Sequence, residues 1–195
     1  MVQYKMEEKY IEIRKCLKKK LKKERYEHTV GVMYTAAALA MRYEVDLDQA
    51  MTAGLLHDCG KYGTTQEQIN RCQRAGISLT EIELQIPALI HAKLGAYLAE
   101  YEYKVKDSQI LSAIRFHTTG RPSMSLLEKI LYIADYIEPG RKEIPGLTKI
   151  RQTAFVDLDK AVSLAAKGSI DYLQLKGSPI DTMTIETYKY YKKGE

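Results

Sequence analysis

The sequence predicts an all-α fold, a single helical bundle. Three observations carry that expectation. Apolar residues recur every three or four positions through most of the chain, the spacing of a helix with one buried face. Sustained alternation of apolar and polar residues, the mark of a half-buried strand, is missing. Helix-start signals recur along the chain: Asp46 with Gln49, Thr80 with Glu83, and Ser125 with Glu128. The length of 195 residues suits one domain, 1–195, with a real core.

Each element follows in order. Residues 1–24 read as a basic helix with Met6, Tyr10, Ile13, Leu17 and Leu21 on one face. Residues 1–23 carry nine Lys or Arg against three Glu, more than the whole net charge of +5. That run is a solvated helix face or a contact for RNA or a membrane surface. The segment RYEHTVGVM opens a second helix near His28. Asp46 caps a third, which carries Ala50, Ala53, Gly54 and Leu56. Pro87 fits the first turn of the helix holding His91, because its missing amide hydrogen would be unpaired there anyway. His117 ends the next, in AIRFHTTG. A helix from about Ser125 stops at Pro139-Gly140. An amphipathic stretch runs from Leu147 to Leu175, and a Tyr/Lys-rich tail helix falls within 178–195.

No apolar run approaches the roughly 18 residues that span a membrane. The N-terminus lacks the apolar core of a signal peptide, so a cytoplasmic location is expected. The three cysteines, Cys16, Cys59 and Cys72, show no zinc-type or redox spacing and read as reduced thiols.

The chemistry lies in the histidines. The chain has four, His28, His57, His91 and His117, each in a helical apolar pattern on a different predicted helix. A single such histidine is ordinarily a hydrogen-bonded core residue. Two aspartates in apolar surroundings change that: Asp58 follows Ala53-Gly54-Leu55-Leu56, and Asp135 sits inside LLEKILYIADYI. A buried carboxylate without a cation beside it costs several kcal/mol. Imidazole with carboxylate is the ligand set of a divalent transition metal. Six such ligands exceed what one ion needs if open positions are to remain. Two ions about 3.5–4 Å apart, bridged by one carboxylate, would use all six. Asp58, next to His57, is the natural bridge. Such a pair suits a polyphosphate and a metal-activated water.

The ordered set His28, His57-Asp58 and Asp135 resembles the H…HD…D signature of the HD phosphohydrolase superfamily. The strings RYEHTVGV, AGLLHDCGK and AIRFHTTGRPSMSLLEKILYIADYIEPGR are similar to the YqeK family within it. That resemblance covers roughly residues 10–190. It implies an HD-domain bundle that splits diadenosine tetraphosphate symmetrically into two ADP. It implies that His28, His57, Asp58 and Asp135 hold a first metal, and that His91 and His117, sharing Asp58, hold a second. Iron is the ion associated with the family; manganese, cobalt and zinc fit the spacing equally. The implied partner is a dinucleoside polyphosphate with an ADP or GDP-like product, and neither a membrane nor nucleic acid. A homodimer is left open, since the sequence is silent on assembly.

Further candidates gather around these ligands. Lys61, three residues beyond Asp58, would stabilise phosphate charge, or simply pair with Asp58 or Asp135. Asp58 and Lys61 are thus the expected catalytic residues. The Thr118-Thr119-Gly120-Arg121-Pro122 loop suits phosphate contact through Thr118, Gly120 and Arg121, or is a plain helix-ending turn. Arg25 and Arg141 could bind phosphates, and Glu138 could bind a ribose hydroxyl or orient a ligand. Lys129 enters as a substrate residue through the resemblance. Two alternatives stay open: another HD-type hydrolase of a nucleoside phosphate or cyclic dinucleotide, and a non-catalytic nucleotide- or RNA-binding module using the basic helix.

Overall fold

Eleven α-helices make up the bundle in the computed structural model, which describes residues 2–192, with side chains described from residue 8. Among the described residues there is no strand. Helix α1 is Val2–Lys20 and α2 is Lys23–Tyr43, so the basic segment is two helices joined at 21–22 and not one over 1–24. His28 therefore lies more than a turn inside α2, not at its start. Tyr10, Ile13, Leu17 and Leu21 are buried as the periodicity predicts, while the side chain of Met6 lies outside the described residues.

Helix α3, Leu47–Leu56, is capped by Asp46, whose carboxylate accepts from the Gln49 amide at 2.8 Å. The Gln49 side chain does not reciprocate; it reaches Asp107 at 2.7 Å. Helices α2 and α3 pack closely, and Gly54 permits it. A Cβ there would lie 2.8 Å from the Met33 Cα, a backbone atom that cannot step aside. Helix α4, Thr65–Arg74, opens with a reciprocal Thr64–Glu67 cap, and α5, Glu81–Gln85, with the expected Thr80–Glu83 one. A 3-10 turn, Pro87–Leu89, leads into α6, Ile90–Tyr101. Helix α7 is Ser108–Phe116 and α8 is Leu126–Ile137, the latter opened by Ser125–Glu128 and ended before Pro139-Gly140.

The stretch from Leu147 to Leu175 is not continuous. It divides into α9, Leu147–Ala154, and α10, Leu158–Leu175. Asp157 breaks it by accepting from the Lys160 amide at 3.0 Å, which opens a new helix without a Gly or Pro. The last helix, α11, is Thr182–Lys192.

Helix α8 is the centre of the bundle. It packs on α2, α3, α7 and α10, and Leu127, Ile130, Leu131 and Ile133 are fully buried there. Helix α11 lies on α10 and clamps the loop that follows α7. The Thr187 hydroxyl donates to the Thr119 carbonyl at 3.0 Å, and the Met124 amide donates to the Tyr191 hydroxyl at 2.7 Å. No described helix is long and apolar enough to cross a membrane.

Candidate metal centre

Five elements converge at one end of α8. His28 comes from α2 and Asp135 from α8, both on helix faces. His57 caps the end of α3, with Asp58 in the turn after it, and His117 caps the end of α7. His91 is in the first turn of α6. The C-terminal ends of α3 and α7 thus face the same point, and both carry partial negative charge that favours a cation. Gly60 lets the Asp58 turn touch α6: a Cβ there would meet the His91 carbonyl at 2.6 Å and the Gly95 amide at 2.9 Å.

Each imidazole is held from behind. His57 Nδ1 bonds the Gly54 carbonyl, His91 Nδ1 that of Ala88, and His117 Nδ1 that of Ile114, each at 2.7 Å. A carbonyl only accepts, so Nδ1 carries the proton in all three. In the neutral ring Nε2 is then a bare lone pair, and every Nε2 points inward. His28 differs: its Nδ1 meets a carboxylate, Glu138 Oε1, at 3.1 Å. Glu138 is itself buried and also accepts from the Gly140 amide at 2.6 Å.

The inward atoms form two overlapping half-sites. On one side are His28 Nε2, 3.0 Å from Asp135 Oδ1, and His57 Nε2, 3.4 Å from Asp58 Oδ2. On the other are His91 Nε2 and His117 Nε2, 3.2 and 3.8 Å from Asp58 Oδ1. Asp58 therefore turns one oxygen to each half. It is 1% exposed, and its Oδ1 makes no hydrogen bond; the same holds for Nε2 of His28 and His57. His91 Nε2 and His117 Nε2 stand 3.1 Å apart. Two neutral imidazoles held in the same tautomer place lone pair against lone pair at that distance, an arrangement that a cation between them would relieve.

Electrostatics agree. Burial, reinforced by His91 and His57, pushes the His117 pKa down to about 3, so its lone pair stays free. Burial also lowers His91. Burial alone would depress His57, but Asp58 and Asp135 outweigh it and raise its pKa. Burial opposes ionisation of Asp58, yet His57 and His91 hold it well below the usual carboxylate range; His28 and Arg141 do the same for Asp135. Three groups of ligand atoms, His28–His57–Asp58, His57–His117–Asp135 and Asp58–His91–His117, each lie within 4.8 Å of one another. Orphaned atoms, inward lone pairs and ionised carboxylates all fit divalent metal ions.

Cations ring the carboxylates. Arg25 Nη1 is 2.9 Å from Asp58 Oδ2, Lys61 Nζ is 3.3 Å from Asp58 Oδ1, and Arg141 Nη2 is 2.6 Å from Asp135 Oδ1. A cleft of about 570 Å³ opens beside the centre, lined by Arg25, His28, His117, Thr118, Asp135 and Arg141 among others. Three candidates stand away from it. Arg121 grips Glu128 with two bonds of 3.0 and 2.7 Å over the Phe116 ring. Lys129 pairs with Asp159 at 2.6 Å. Gly120, at φ +65, packs on Thr187, where a Cβ would meet Cγ2 at 2.7 Å. The cleft also holds residues that spacing did not single out: Tyr132, Tyr136, Lys142 and Ser169. Tyr136 and Lys142 could have been found as neighbours of Asp135 and Arg141; Ser169, on α10, carries no local signal.

Comparison with known proteins agrees with this geometry. The HD domain family model matches residues 25–140. A Bacillus subtilis protein named bis(5'-nucleosyl)-tetraphosphatase, symmetrical, is 41% identical over 92% of this chain and 95% of its own length. One of the same name from Halalkalibacterium halodurans is 42% identical over 88% and 91%. A Clostridium acetobutylicum crystal structure described as a predicted HD superfamily hydrolase involved in NAD metabolism superimposes with a TM-score of 0.90 at 41% identity. It covers 95% of this chain and 98% of that one.

Proposed function

The chain belongs to the HD-domain family, and we propose that it is a hydrolase that splits diadenosine tetraphosphate and related dinucleoside tetraphosphates symmetrically. One water and one diadenosine tetraphosphate give two ADP, by cleavage of a bond at the central bridging oxygen. The observation that carries this reading is the division of Asp58, one oxygen to each of two histidine-lined half-sites. We assign His28, His57, Asp58 and Asp135 to one ion, and Asp58, His91 and His117 to another. Iron is the proposed metal, with manganese, cobalt or zinc as substitutes.

Bound divalent ions would supply Lewis acidity at the phosphoryl oxygens and lower the pKa of water. The chain's own part is binding and charge. Arg25, Lys61 and Arg141 now spend their charge on Asp58 and Asp135. Were those carboxylates to ligate cations, Arg25 and Lys61 would be free to hold phosphate, Lys61 stabilising developing negative charge beside Asp58. Arg141, kept in place by its Nε bond of 2.7 Å to the Asp135 carbonyl, would offer its outer nitrogens. The Thr118 hydroxyl, 3.3 Å from His117 Nε2, can donate to a phosphate oxygen in the cleft. Glu138 orients His28 instead of meeting ribose, since both its oxygens are already engaged. Arg121 and Lys129 take no part in this reading.

The second half-site, His91 with His117, argues against the single-ion HD nucleotidases. The enclosed, ligand-complete centre argues against a module that only binds. Residues 1–195 act as one unit in this reading, in the cytoplasm, on a nucleotide and not on nucleic acid, whether as monomer or homodimer. The test is a product assay on anaerobically purified protein. ADP alone from diadenosine tetraphosphate, lost on chelation and restored by a divalent metal, is expected. ATP with AMP would overturn the symmetric cut.

A further inference from the structure

A second cleft, of about 1100 Å³, opens beside the first on the outer side of Glu138 and Gly140. The two share Glu24, His28, Glu138, Gly140 and Lys142, so they are continuous across one wall of the metal centre. The inner cleft falls in the range of roughly 300–1,000 Å³ that encloses a single drug-sized ligand. A dinucleoside tetraphosphate cut at its midpoint has a nucleoside on each side of the reacting bond, which calls for two nucleoside surfaces joined at the metal centre, and the two clefts are joined there.

The outer cleft has the surface a nucleoside needs. Tyr34 projects from α2 and is 57% exposed; Phe155 follows α9 and is 40% exposed. Neither ring has a place in the core, and rings left open in this way offer faces on which a base stacks. The Phe155 segment is held firmly: Arg42 Nε donates to the Phe155 carbonyl and the Tyr43 hydroxyl to that of Ala154, both at 2.7 Å. Lys142 lies on the shared wall, where the phosphate chain would cross, and the Glu27 carboxylate on the rim can accept from ribose hydroxyls.

We infer that the outer cleft is the site for the second nucleoside, with its base between or against Tyr34 and Phe155. The inference rests on the dinucleoside tetraphosphate reading above. It makes recognition two-sided, with one nucleoside in each cleft and the phosphates passing over the metal centre between them.

The test compares two substrates on the metal-loaded enzyme. Adenosine 5′-tetraphosphate carries the same phosphate chain with one nucleoside, which can always occupy the inner cleft. In the double variant Tyr34→Ala/Phe155→Ala, KM for diadenosine tetraphosphate should rise about tenfold or more, the loss expected when a stacked base is freed. Its kcat should stay within about twofold, as should KM for adenosine tetraphosphate. Parallel changes for both substrates, or no change for either, overturn the subsite. So does a change in sedimentation coefficient, which would make this aromatic face a contact between copies. If the wild-type enzyme does not split diadenosine tetraphosphate, the hydrolase reading fails and this inference with it. If the wild type turns over and the variant matches it, only the subsite fails.

Discussion

Glu138 offers the sharpest perturbation of the metal centre. Its Oε1 accepts from His28 Nδ1 at 3.1 Å and its Oε2 from the Gly140 amide at 2.6 Å. The carboxylate fits a slot bounded by two glycines: a Cβ on Gly31 would stand 2.6 Å from Oε2, and one on Gly140 3.0 Å from it. Glutamine fills the same slot but has one acceptor oxygen for two donors, and no charge. Either His28 loses its partner or an amide NH₂ faces the Gly140 N–H. Replacing the carboxylate behind a ligating imidazole costs about 10–100-fold in metal affinity, or about 1.4–2.7 kcal/mol. Glu138→Gln should impose that loss on one ion only, since His91 and His117 are oriented by backbone carbonyls that the substitution leaves alone. Titration of metal-free protein with manganese against a competing chelator resolves the two affinities. Equal weakening of both ions, or of neither, would refute the separation into two half-sites.

Three other outcomes are expected. His117→Ala should halve the bound metal, read by elemental analysis, and abolish turnover; full activity would remove the second half-site. Gly54→Ala drives a methyl against the Met33 backbone and should cost about 1–3 kcal/mol, with Tm falling about 2–4 °C for each; an unchanged melt would mean that α2 and α3 separate freely. Glu128 is buried, which opposes its ionisation, but Ser112, Arg121 and the Ser125 amide lower its pKa below the ordinary 4.5. The stability it adds is therefore complete above pH 4.5 and lost as pH falls through the lowered folded value. Glu128→Gln should flatten that acid slope; urea midpoints on either side of pH 4.5 check it, and an unaltered slope would refute it.

The clustering of the six proposed ligands was legible because each is a polar residue in an apolar helical setting, a cost that sequence pattern exposes directly. The central place of Asp58 followed from its adjacency to His57, and the structure turns one of its oxygens to each histidine-lined half. The tautomers could not be read, because they depend on carbonyls freed where α3 and α7 end, one turn behind the ligand. Arg121 illustrates a different limit. An arginine in a loop after a ligand looks ready for phosphate, yet the Glu128 that closes the α8 cap has both oxygens within its reach. The α9–α10 break was hidden because Phe155 and Val156 continue the apolar pattern, and the whole interruption is the single side chain of Asp157. The outer cleft was illegible for a related reason: Tyr34 and Phe155 lie 121 positions apart and come to line one cleft only through tertiary packing.

The clamp that α11 places on residues 118–124 bears on how the protein matures. A ribosome delivers the chain from its N-terminus, so all six proposed ligands emerge well before Thr187 and Tyr191. Until those two arrive, the Thr119 carbonyl and the Met124 amide lack their partners, and nothing presses Gly120 into its left-handed turn. A nascent chain can therefore gather its imidazoles while the segment beside His117 is still loose. The segment beside His117 takes its final shape only when α11 docks, so the cleft proposed for phosphate is completed after its ligands have gathered.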